Sequence, residues 1–149
     1  MSSVAEAIAA GAAAESPLWV RSALPAANWQ PGFSPLAPDG FALGLETVYE
    51  AYLVHYGRPR LFAPADRDEA VLLGDYLYAH GLVRIADAGG VAAVAVMADL
   101  ISRCAALRAA GAPGDGDAWV AAARLLGGTP DDDRVALALA RHSARVASS

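Results

Sequence analysis

Glu46 and Glu50 stand four residues apart, a spacing that puts both carboxylates on one face of a helix. Such a pair could grip a divalent cation or a diphosphate, or could simply be solvated helix carboxylates. Arg58 follows close behind, with the fork-shaped guanidinium that suits phosphate oxygens. Further on, Asp75 interrupts an apolar helical pattern, where an unpaired carboxylate would be costly to bury. It must therefore face solvent or meet an arginine such as Arg58 or Arg60. The acids Asp131–Asp133 open a helix and are explained by capping and the helix dipole. His55, His80 and His142 show no metal-ligand spacing. Cys104 lies in an apolar helical pattern and reads as a small core residue. No glycine-rich phosphate loop, nucleophile elbow, zinc pattern or redox pair occurs.

The elements that carry these residues read as helices. Phe41, Leu45, Val48 and Tyr52 repeat at helical spacing, with Asp39 as the expected cap and Gly57 and Pro59 as the stop. Asp66 with Glu69 predicts a capping box for a helix to about Ala88, apolar on several sides and so expected to be central. Gly89-Gly90 separates it from a helix over Val91–Ala110. A flexible loop over residues 111–116 precedes a short helix capped by Asp117. Thr129 and Pro130 are expected to start the last helix, which runs to about Val146. The expected fold is all-α: a compact bundle of about five helices over residues 39–149. An Ala-rich start and a Pro/Trp-rich strap make up residues 1–38, with Trp19 and Trp29 packing over the chain's own body or over a partner.

Composition narrows the function. The 149 residues carry a net charge of −5, and all eleven Lys+Arg residues are arginine. A nucleic-acid role has no electrostatic footing. One cysteine excludes an internal disulfide and fits a reducing cytoplasm. Residues 1–14 lack the basic start and long apolar centre of a leader, and no uninterrupted apolar run approaches the ~20 residues of a membrane span. About a quarter of the residues are alanine, which brings helices close and leaves apolar surface for a partner.

The stretch from Glu46 to Leu82 resembles the first-aspartate-motif region of trans-isoprenyl diphosphate synthases. In that family a DDxxD helix is followed by an RRGxP turn and a helix bearing GDYL. Without a gap, these fall on Glu46-Thr47-Val48-Tyr49-Glu50, on His55-Tyr56-Gly57-Arg58-Pro59 and on Gly74-Asp75-Tyr76-Leu77. The middle acid is replaced by Thr47, the paired arginines by His55 and Tyr56, and no second DDxxD helix follows. The resemblance implies a truncated, non-catalytic relative, similar to the small subunits of heteromeric prenyl diphosphate synthases. It implies a protein partner, either a catalytic synthase chain or a second copy. It implies no cofactor, with magnesium only if Glu46, Glu50 and Arg58 retain a diphosphate site. It also places Asp75, Tyr76, Tyr78 and Leu82 near a subunit interface, with Tyr76 expected toward the chain's own core and Tyr78 toward the partner. A helical accessory or scaffold subunit of an unrelated complex is the alternative.

Overall fold

The computed structural model describes residues 3–26 and 29–146. It is all-α, with no strand among the described residues; one antiparallel bridge joins Ala23 to Phe62. The helices are α1 (Ser3–Glu15), α2 (Pro17–Arg21), α3 (Ala42–Tyr56), α4 (Arg67–Ala110), α5 (Asp115–Leu125) and α6 (Asp132–Val146).

The central helix is α3, not the one after Asp66. Every residue from Gly44 to Val54 is buried, the polar ones included. A stripe-based reading missed this because neighbours surround α3: α1, the 30–41 strap, α4 and α6 all pack on it. Its start also differs from expectation. Asp39–Phe41 forms a single 3-10 turn, and the Asp39 side chain caps nothing.

Helix α4 bends where the sequence breaks it. Gly90 sits at φ 71°, a left-handed value that only glycine adopts readily, while helix continues on both sides. Its start follows the capping-box expectation. Asp66 accepts from the Glu69 N–H at 2.8 Å, and Glu69 reaches back to the Ala65 N–H at 2.7 Å and to the Ser22 hydroxyl at 2.7 Å. Two later starts are shifted. Residue 115 already belongs to α5, so Asp117 is not its cap. Likewise Asp131, not Thr129, caps α6 by accepting from the Arg134 N–H at 2.8 Å.

The strap lies over the chain's own body. Trp19, Phe33 and Leu36 are buried, and Trp29 is half-buried. Helix α1 joins the same packing through Ala5, Ile8 and Ala12. The strap closes on the α5–α6 loop at Gly128, where any Cβ would collide with the Leu36 carbonyl oxygen.

Helices α3 and α4 cross at glycines. A Cβ on Gly44 would meet Ile85, one on Gly74 would meet His55, and one on Gly81 would come within 2.6 Å of Val48 Cγ2 and 3.1 Å of its backbone nitrogen. A Gly81→Ala exchange sets two effects against each other. Alanine favours helix by about 0.8–1.0 kcal/mol, whereas overpacking against backbone costs about 1–3 kcal/mol. Backbone cannot rotate away, so overpacking wins, and thermal denaturation is expected to show a lower Tm for Gly81→Ala than for wild type. An exchange of Gly40, whose Cβ would meet nothing within 4 Å, serves as the control.

Candidate functional site

The polar residues of α3 lead into two buried networks. In the first, Glu46 and Glu50, essentially inaccessible to solvent, share the guanidinium of Arg60, itself buried. Arg60 Nη1 donates to Glu46 Oε1, and Nε donates to Glu50 Oε1 at 2.9 Å. Two further N–H groups meet the carbonyls of Gln30 and Glu46, both at 3.1 Å. Trp29 lies against the guanidinium, 4.1 Å from ring centroid to Cζ.

Backbone N–H groups saturate the other carboxylate lone pairs. Gly32 and Ser34 donate to Glu46, and Arg60 and Leu61 donate to Glu50, at 2.7–3.2 Å. Gly32 approaches so closely only because it lacks a side chain; a Cβ there would run into the Tyr49 ring. Burial alone would lower the Arg60 pKa, but the two carboxylates reverse that and raise it.

This corrects the expectation of a solvated pair at Glu46 and Glu50. Their oxygens are already committed to Arg60 and to two loops. Arg58 belongs elsewhere: its Nη2 donates to the Ala144 carbonyl at 2.9 Å, while Arg145 donates back to the carbonyls of Arg58 and Pro59. That exchange ties the corner after α3 to the C-terminus of α6, where a cation suits the helix dipole. Among the described residues no cluster of His, Cys, Asp or Glu is arranged to hold a metal.

The second network joins four helices. Asp115 Oδ2 accepts from the Tyr52 hydroxyl, from Arg108 Nη2 at 2.8 Å and from His142 Nε2 at 2.8 Å. Arg108 Nε also donates to the Tyr52 hydroxyl at 2.8 Å. Burial lowers the His142 pKa against the pull of Asp115, so the ring is neutral and carries its proton on Nε2. Its Nδ1 therefore accepts from the Tyr49 hydroxyl at 2.8 Å.

An Asp–His–Tyr relay of this kind resembles catalytic hydrogen bonding, but its end is closed. Tyr49 is buried among Phe33, Trp119 and His142, and burial raises its pKa, as it does that of Tyr52. Burial thus favours the protonated form of both phenols and closes both off from solvent. Asp115 is held at about 2: burial opposes this, and the Tyr52, His142 and Arg108 donors overcome it. Buried Cys104 is likewise inert, its thiol pushed up to about 12 by burial.

The remaining expected positions separate. Asp75 is 71% exposed in its side chain, with His55 Nε2 at 3.6 Å rather than Arg58 or Arg60. Tyr78 turns inward, stacking on His55 at 5.2 Å and touching both apolar clusters, the reverse of its expected role. Tyr76 is half-buried against His80 and α1, and Leu82 is half-buried on the main core. Leu72 is 59% exposed, while its neighbour Leu73 is fully buried. The sequence reading missed Arg60 as the centre of the first network and Asp115 and His142 in the second. Asp115 had been read as part of a flexible loop, and no local spacing links it to His142 twenty-seven residues on.

Removing Arg60 leaves two buried carboxylates uncompensated. Arg60→Ala is expected to cost about 3–5 kcal/mol, measurable by urea denaturation. Arg58→Ala, at the surface, should change stability far less. A second expectation concerns pH. The folded His142 binds its proton less readily than the unfolded one, so stability should begin to fall as pH drops below about 6.5, the unfolded value. Half-buried His55 and His80 shift the same way. Asp115 adds a second loss as pH falls from its unfolded range toward its folded value of about 2. Tm measured from pH 8 to pH 3 should show both, and His142→Gln should flatten the upper one.

The chain matches no model of a known protein family, no curated protein and no solved structure. Its reading therefore rests on these networks and on the surface around them.

Proposed function

We propose that this protein is a non-catalytic helical subunit that binds a larger chain through the outer face of α4. The observation that carries the reading is how little of that helix its own fold covers. Its buried residues form a narrow line from Leu73 to Cys104. Its most apolar 18-residue window has a mean hydropathy of 1.7, yet only 22% of it is buried. By length and composition this one helix could cross a bilayer, although Asp99 and Arg103 interrupt its apolar run.

Leu72 and Val83 are eleven residues apart, roughly 20° in rotation, and so lie on one face. Ala79 and Ala86 share that face, and the exposed Asp75 borders it. Val91, 87% exposed, follows just beyond the bend. Exposed apolar surface of this extent marks partner sites. The resemblance of Gly74-Asp75-Tyr76-Leu77 to the synthase motif, near the subunit interface in that family, names the partner class as a catalytic prenyl diphosphate synthase chain. Leu72, Asp75 and Val83 replace Tyr78 as the contact residues.

The saturation of Glu46 and Glu50 by Arg60 supports the non-catalytic half of the reading, since nothing is left there to bind a diphosphate. An accessory subunit of an unrelated complex would use the same face, and the test separates the two. Co-expression with a catalytic synthase chain should give a stable heteromer in light scattering, burying on the order of 800 Å² per partner. Leu72→Glu combined with Val83→Glu should dissolve it without lowering the Tm of the free chain. The synthase's product-length profile should shift only when the complex forms. Failure to co-elute with the synthase would reject it as the partner.

A further inference from the structure

The outer side of α6 carries a feature that neither network nor the α4 face explains. Between α6 and the strap lies a cavity of about 390 Å³, within the size range of small-molecule sites. Arg134 and Arg141 bound it on α6, seven residues and roughly 10 Å of helix apart on one face. Leu137 and Ala138 form the floor between them, and Pro35 and Gly32 form the facing wall.

Two details set this cavity apart from an ordinary surface groove. Leu137 is 52% exposed, a large apolar side chain on the side of α6 away from the core contacts of Ala138 and His142. Among the described residues the Arg141 guanidinium has no ion pair and no hydrogen bond, although it is half-buried. Arg134, by contrast, has Asp131 at 4.0 Å, and Asp39 lines the cavity on the strap side. The positive charge left uncompensated is therefore at the Arg141 end. The apolar floor runs from there toward Arg134 and Asp39.

From this geometry we propose a binding site for a small amphipathic anion: carboxylate or phosphate oxygens on Arg141, and a short apolar body over Leu137, Ala138 and Pro35. Arg141 supplies a planar fork that matches either head group. The apolar body would cover the side chain that the fold leaves exposed. The fold supplies rigidity on both walls. Helix α6 is anchored by His142 and by the Arg58–Arg145 exchange, and the strap by Glu46 and by its contact with Gly128. The site shares no residue with α4, so it stands or falls independently of the partner reading.

The test is titration calorimetry of the full chain with octanoate and with octyl phosphate, each below its micellar concentration. Inorganic phosphate, octanol and octylamine serve as controls. Saturable one-to-one binding is expected for one or both anions, and none for the controls. Arg141→Ala should weaken binding at least tenfold, as should Leu137→Gln, while Arg103→Ala leaves it unchanged. Arg141 makes no internal bond, so its variant should keep the wild-type Tm. An absence of saturable binding by both anions would overturn the proposal. So would equal binding of octanol, or an unchanged affinity in Arg141→Ala.

Discussion

A single guanidinium shared by two buried carboxylates sets the terms for the rest of this fold. Two negative charges and one positive charge cannot lie in an apolar core unless every lone pair is met. Arg60 meets part of the demand, and the chain bends to supply the rest. The strap must place Gly32 and Ser34 against Glu46, and the corner after α3 must place residues 60 and 61 against Glu50. Two segments outside the α-helices are thus fixed by the same ion cluster. A replacement of all three side chains by apolar ones of similar volume could match its stability. It could not hold the two loops, because methyl groups accept no hydrogen bonds.

The second network serves a different purpose with the same economy. Tyr52, Arg108, Asp115 and His142 come from α3, α4, α5 and α6, and all converge on one carboxylate oxygen. Apolar contact is non-directional and lets helices slide, whereas four donors and acceptors on one centre fix their registers. The Tyr49 phenol extends that order into the aromatic cluster of Phe33 and Trp119. Helix α3 thus contributes to both networks, which is how Glu46 and Glu50 can share its complete burial.

The legibility of the chain follows the range of the forces involved. The all-α class, the capping box at Asp66 and Glu69 and the break at Gly90 are local, and each could be read from a few neighbouring residues. The four-residue spacing of Glu46 and Glu50 did place them on one face, but which face depended on distant packing. Nothing in the 46–60 segment says that Arg60 folds back on its own helix rather than out to water. For Asp115 the local signal was misleading. Surrounded by Gly111, Pro113, Gly114 and Gly116, it looks like a loop residue, yet Gly114 is the left-handed turn from which α5 begins. The tyrosines on α4 failed for a similar reason. Sequence could say that Tyr76 and Tyr78 point apart, but the choice between them lay with His55, which takes Tyr78 as its stacking partner.

The titratable side chains of the interior are engaged with one another rather than with open space. Catalysis needs groups whose charge or proton is available, and that requires an unsatisfied valence facing a space. Here Glu46, Glu50, Tyr49, Tyr52, His142 and Asp115 have all been spent on one another, on Arg60 or Arg108, or on backbone. Apart from the buried Trp119 Nε1, what stays unpartnered among the described residues includes the apolar side of α4 and Arg141 beside the exposed Leu137. The two networks close the interior around Glu46, Glu50 and Asp115, and the uncovered apolar and cationic groups face outward.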